Sequence, residues 1–248
     1  MIPVKRSPAP KKHASMVAKP GNAWLEKNAA SRTRPPGHWR LVRAELAEAF
    51  GHRCGYSAMY EPVGTVDHYL SIEGGARHLA YDWSNYRYAA GWVNSSKGTL
   101  DDLVLDPFDV RPGWFEMLLP SLQVVMTDRI PVRFRSKATV VLERLQIGHG
   151  EQVIRMRQAW LTKYREGKAS LELLDDWAPL LAEALRKESA TTRHALPKAA
   201  HKRTAKRARS AAKGHGRKAR CRRRERRSAM KTGDVGRREC ASKAACKS

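Results

Sequence analysis

Cysteine is scarce: Cys54, Cys221, Cys240 and Cys246 are the four among 248 residues. Four so unevenly spread make no disulfide framework, which implies a reducing compartment. No apolar run approaches the roughly 18 residues of a membrane-spanning helix. The opening MIPVKRSPAPKKH also lacks the apolar centre of a secretion signal. A soluble, cytoplasmic protein with no membrane partner is therefore expected. No aromatic residue follows Trp177, so the C-terminal end has no rings on which bases could stack and is unsuited to reading a nucleic-acid sequence. Internal repeats are absent.

Acidic residues are the other shortage, 24 Asp and Glu against 48 Lys and Arg, for a formal charge of +24. Residues 1–37 carry 8 basic and 1 acidic, residues 38–186 carry 18 and 19, and residues 187–248 carry 22 and 4. A near-neutral middle between basic ends predicts one folded domain, 38–186, flanked by a flexible basic arm, 1–37, and a disordered basic tail, 187–248. Such ends suit a polyanion, and DNA held non-specifically fits better than a membrane because no apolar face accompanies the charge. Each phosphate contact would steepen the salt dependence of binding by about 0.9 in log-log slope.

Within the middle, Trp39, Val42, Leu46 and Phe50 recur at helical spacing, and Gly51 stops that helix. The β-branched run VGTVDH (63–68) predicts a short strand, and Asn85 to Tyr88 a second. The loop between them contains Gly74-Gly75 and ends in LAYDW. A helix is expected from Val93 to about Leu103, with a break or bend at Gly98. LDPFDV and PGWFEMLLP read as irregular cover. LQVVMT, DR and IPVRFR read as a hairpin. Apolar stripes then predict three helices: Ala138 to Leu145, Val153 to Tyr164, and Leu174 to Leu185 with Pro179 near its start. The class is α+β with a helical C-terminal half.

The stretch from Val63 to Gly98 looks built for chemistry. Cutting a phosphodiester requires an activated water, a cation to absorb charge on the phosphate, and a rigid mount for both. His68 is the natural general base, and its neighbour Asp67 offers the hard oxygen that Mg²⁺ prefers. Adjacent strand residues point to opposite faces, so the pair must sit at a strand end or bulge to serve one phosphate. Asn94, on a helix packed back against the strand, can give the ion a second oxygen. Asn85 in the loop can tie backbone groups together and steady the His68 ring. Lys97, one turn after Asn94, would face the same side and hold a phosphate.

These residues resemble the HNH endonucleases, whose ββα-metal motif runs from a strand bearing Asp-His, through a loop with Asn, to a helix bearing Asn or His ahead of a Lys-Gly or similar pair. RCGYS, LAYDWSNYR and NSSKG are the matching segments, across roughly residues 40–110, and they are similar to bacterial HNH proteins of restriction and phage defence. The resemblance implies a ββα-metal core and a metal-dependent endonuclease hydrolysing DNA to a 5′ phosphate and a 3′ hydroxyl. It implies Asp67 and Asn94 as ligands of one Mg²⁺ or Mn²⁺, and His68 and Asn85 as the catalytic pair of base and brace. Many relatives also brace the motif with a zinc bound by two CxxC pairs. Here Cys54 is followed three residues on by Ser57, and Ala90 and Val93 occupy the second pair. One thiolate makes no tetrahedral site, so no structural zinc is expected, and Trp83, Tyr86, Tyr88 and Trp92 should fill the space.

Plainer roles compete with each of these. Asp67 could cap a turn, His68 could be a strand-end histidine, Asn94 or Ser95 could cap a helix, and Lys97 could be a solvated surface residue. His52 and His78 fall outside the motif's spacing. The rival to the enzyme is a non-catalytic DNA-binding protein on the same scaffold; RNA as target and an activating protein partner also remain open.

Overall fold

The structure is a computed structural model and describes residues 1–195. Helices combine with two small antiparallel sheets, the expected α+β class. Residues 1–37 depart from expectation, because they pack on the rest of the chain instead of forming a loose arm. Helix α1 (Lys11–His13), a π-helical turn (Ala14–Ala18) and α2 (Lys19–Lys27) follow one another without a gap. Val17 is wholly buried, and His13 and Gly21 are buried beside it. Gly21 lies against the Tyr81 ring, where an added Cβ would meet Cγ at 2.3 Å. Glycine alone permits that approach. Two hydrogen bonds fasten the same segment: the Trp83 indole Nε1 donates to Ser7 O (2.9 Å) and the Tyr81 hydroxyl to Pro36 O (2.8 Å).

Trp39, Val42, Leu46 and Phe50 are all buried, on a 3-10 turn (His38–Val42) that leads into α3 (Arg43–Ala49). Gly51 then turns the chain at φ 59°. Strands β1 (Thr65–His68) and β2 (Tyr86–Ala89) pair antiparallel, Thr65 opposite Ala89 and His68 opposite Tyr86. Helix α4 (Gly91–Lys97) follows at once and is tied back to β1, with Asn94 Nδ2 donating to Thr65 Oγ1 (3.1 Å) and Lys97 Nζ to His68 O (2.9 Å). Gly98, at φ 49°, is a stop and not a bend.

The C-terminal half contains β3 (Phe115–Met117), β4 (Val124–Met126), α5 (Val132–Glu143), α6 (Glu151–Arg165), α7 (Leu171–Trp177) and α8 (Pro179–Ala195). The hairpin expected between LQVVMT and IPVRFR does not form. Strand β4 pairs backwards with β3, while Pro131, with no N–H to give a ladder, stands at the start of α5. The last apolar stripe is two helices, α8 beginning at Pro179. Residue 187, expected to open the tail, lies inside α8, and Lys187 Nζ pairs with Glu183 (3.0 Å) and Glu116 (3.2 Å). Residues 188–195 of the expected tail continue α8, and 196–248 lie outside the described residues.

Two apolar clusters hold these parts. One joins Val17, the α3 residues, Val66, Tyr81, Tyr86 and Tyr88; the other joins Val93 and Val104 to β3, β4 and the C-terminal helices. Arg157, fully buried in the second, donates to the carbonyls of Leu122, Ile147 and Gly148. No helix among the described residues is long and apolar enough to cross a membrane.

Candidate active site

Asp67, His68 and Asn94 line one cavity of about 370 Å³, together with Arg34, Trp39, Ser71 and Glu73. Neighbours on a regular strand could not both face it. His68, however, is the last residue of β1, and beyond it Tyr69 N donates to Asn85 O (2.8 Å) as the chain leaves the sheet. The strand-end geometry expected from the sequence is thus present.

The His68 ring has a defined tautomer. Nε2 lies 2.9 Å from Ala80 O, and a carbonyl can only accept, so Nε2 carries the hydrogen and Nδ1 the lone pair. Trp39 and Tyr86 meet the ring edge-on, at centroid distances of 4.7 and 5.2 Å. Burial is the main reason that its pKa falls below the ordinary 6.5; the Ala80 carbonyl and Asp67 oppose the shift, while Lys97 and Arg34 reinforce it. The imidazole is therefore neutral at neutral pH and able to accept a proton.

Asn85 does not reach the cavity. Its side chain clasps both sides of Leu70, accepting from Leu70 N (2.8 Å) and donating to Leu70 O (3.0 Å). A longer contact to Leu79 O (3.5 Å) links it to the residue before Ala80. Asn85 thus braces the loop whose Ala80 carbonyl aims His68. These contacts match the brace expected of Asn85, whose side chain is not among those lining the cavity.

Lys97 requires the largest correction. Its side chain is wholly buried, with Nζ 3.1 Å from Asp67 Oδ1 and donating to His68 O. Asn94 and Lys97 lie three residues apart on one face, as expected, but that face is pressed onto β1, so the ammonium does not reach the cavity where a phosphate would sit. The other Asp67 oxygen, Oδ2, accepts from the Tyr56 hydroxyl at 2.6 Å. Burial first, and Asp67 next, push the Tyr56 pKa upward, so the phenol stays a donor.

Among the described residues no group of three or more His, Cys, Asp or Glu gathers as a metal cluster. The cavity offers one carboxylate and one carboxamide. Each Asp67 oxygen has one partner and keeps a further lone pair. Asn94 has its orientation fixed: the Thr65 hydroxyl hydrogen goes to Ala89 O (3.2 Å), so Thr65 Oγ1 accepts from Asn94 Nδ2 and leaves Oδ1 free. Two hard oxygens suit Mg²⁺ or Mn²⁺, which keep most of their water and take further oxygens from a substrate phosphate. They do not make a zinc site.

At the positions of the two CxxC pairs, Cys54, Ala90 and Val93 are buried in one apolar cluster with Tyr56, Val104 and Leu105, and Ser57 is buried as well. The filling differs from expectation, since Tyr86, Tyr88 and Trp83 belong to the other cluster and only Trp92 packs against this one. His52 and His78 are exposed and line no part of the cavity.

Arg34, Trp39, Ser71 and Glu73 are cavity residues that the sequence reading missed, the first two because they lie in or beside the segment read as an arm. The pair Pro35-Pro36, which stiffens the chain after Arg34, was the available signal. The buried pair Arg87–Asp106, bonded at 2.6 and 2.7 Å under the Phe108 ring, was also unforeseen and anchors β2 from behind. Comparison with protein-family models and with curated proteins finds no match for this chain.

Proposed function

We propose that this chain is a metal-dependent endonuclease of the HNH kind, with a ββα-metal core formed by β1, β2 and α4, hydrolysing DNA phosphodiester bonds. One observation carries the reading: Asp67, His68 and Asn94 line a single cavity, with His68 presenting the lone pair of Nδ1 and Asn94 a free carbonyl oxygen. His68 takes a proton from a water, and the Ala80 carbonyl steadies the positive charge that the ring then gains. Asp67 and Asn94 would hold one divalent cation, which when bound supplies charge stabilisation at the phosphate and at the departing oxygen. Asn85 keeps the loop, and hence the ring, in place. The basic tail concentrates substrate by non-specific contacts.

His68→Ala tests this directly. With Mg²⁺ or Mn²⁺ the wild type nicks supercoiled plasmid and the variant does not, while both melt together and bind DNA alike. Equal cleavage by the two proteins removes His68 as the base.

A second reading has its own support in the Lys97–Asp67 ion pair. An ammonium already neutralising the carboxylate is what a binding protein that has lost its metal would retain. Such a protein binds DNA equally with Mg²⁺ and with chelator, and cuts nothing in either.

A further inference from the structure

With Lys97 turned inward, the cavity needs another cation for an anionic substrate. Among the described residues that line it, Arg34 is the only lysine or arginine. We propose that Arg34 is the phosphate-holding residue of this cavity, and that Glu73 occupies its guanidinium until a phosphodiester displaces it. The proposal rests on the phosphodiester reading of the site and assigns the group that grips the substrate.

Arg34 has a firm mount. Pro35 is buried, Pro36 O accepts from Tyr81 and from His38 N (2.8 Å each), and Trp39 meets the His68 ring edge-on. A proline following Arg34 holds its backbone extended, so the side chain leaves a fixed point at the cavity rim. The guanidinium nevertheless stays accessible: Nε is 3.7 Å from Glu73 Oε1, with side chains 69% and 63% exposed. So loose and solvated a pair has little net stability. A phosphate offers the planar guanidinium two parallel hydrogen bonds in its place. Arg34 and His68 line the same cavity, so a phosphate gripped by the guanidinium would lie in the space that the base also lines.

The test uses the full chain and thymidylyl-thymidine, a probe with a single phosphodiester, titrated in chelator and followed by nuclear magnetic resonance. Arg34→Ala should weaken binding roughly tenfold or more, the usual loss for a charge-assisted contact. Arg34→Lys should recover part of it, and Arg32→Ala, on an exposed residue outside the cavity, should match wild type. Glu73→Gln should tighten binding in the wild-type background and change nothing in the Arg34→Ala background. A merely structural role for the pair would weaken binding in both single variants. The proposal is overturned if the probe does not bind, if Arg34→Ala binds like Arg32→Ala, or if Glu73→Gln has the same effect in both backgrounds. Plasmid nicking is scored separately. A chain that grips the dinucleotide through Arg34 yet nicks nothing with Mg²⁺ or Mn²⁺ loses the nuclease reading and keeps the phosphate site.

Discussion

Taking away the Lys97 ammonium would leave the Asp67 carboxylate buried, with the Tyr56 hydroxyl as its remaining hydrogen-bond donor. Lys97→Met keeps the length of the side chain and removes the charge, so its effect is that of breaking a buried ion pair, about 3–5 kcal/mol of stability. A cation able to use Asp67 would repair the loss. We therefore expect Mg²⁺ to raise the melting temperature of Lys97→Met well beyond any rise in wild type, and Asp67→Asn to abolish that difference. Scanning calorimetry with and without Mg²⁺ decides it, and an equal response from both proteins would count against Asp67 as a ligand. The sequence placed Asn94 and Lys97 correctly on one helical face, because three-residue spacing fixes that. Which way the face turned was not legible. It depends on Tyr56, Asp67 and Thr65, partners 29 or more positions away in three of the four contacts that orient Asn94, Lys97 and Asp67.

The N-terminal helical segment fastens one element to another through few contacts, so single changes should loosen it. At Gly21 a methyl group would meet the buried Tyr81 ring. The overpacking penalty of about 1–3 kcal/mol outweighs a helix-propensity gain of at most about 1 kcal/mol. Gly21→Ala should therefore lower the melting temperature although alanine favours helix. His13 adds a dependence on pH. It is buried edge-on against Trp83 and Tyr86, its Nε2 unpartnered. Desolvation lowers its pKa against the opposing effects of Asp82 and the Tyr81 backbone. The folded form resists protonation, the unfolded form does not, and so stability present above the ordinary value of 6.5 is lost as pH falls below it. Protection factors of the α2 amides, referred to the intrinsic exchange rate at each pH, should be lower at about pH 5 than at neutrality, and His13→Leu should remove most of that change. A helix with a wide apolar stripe, such as α6, was readable from periodicity, as was the second half of α5, whereas Val132–Arg135 at its start read as a strand. The N-terminal segment was not, since its buried face is a histidine, a valine and a glycine, and composition counted it as solvated. Its signal was the spacing of Val17, Gly21, Trp24 and Leu25. The β3–β4 pairing was hidden for another reason: adjacency in sequence favoured IPVRFR as the partner, and only the missing N–H of Pro131 argued against it.

At the scale of the whole molecule, charge and fold are largely separate. Residues 187–248 carry 22 of the 48 basic side chains, while the unit Met1–Thr192 holds the cavity and both apolar clusters. Deleting residues 196–248 should flatten the salt dependence of DNA binding by several units of log-log slope, at about 0.9 per lost phosphate contact, and leave the melting temperature of the remainder unchanged. Filter binding over a salt series reads the first and calorimetry the second; a steep slope in the shortened chain would shift the main electrostatic contact to the folded unit. The cavity itself is assembled from parts far apart in sequence: Arg34 and Trp39, the end of β1, and Asn94 and Gly98. During synthesis the first of these is made long before the last. A growing polypeptide thus holds Arg34 and then His68 with no finished enclosure around them, until the turn at Gly98 clears the ribosome and α4 can close against β1.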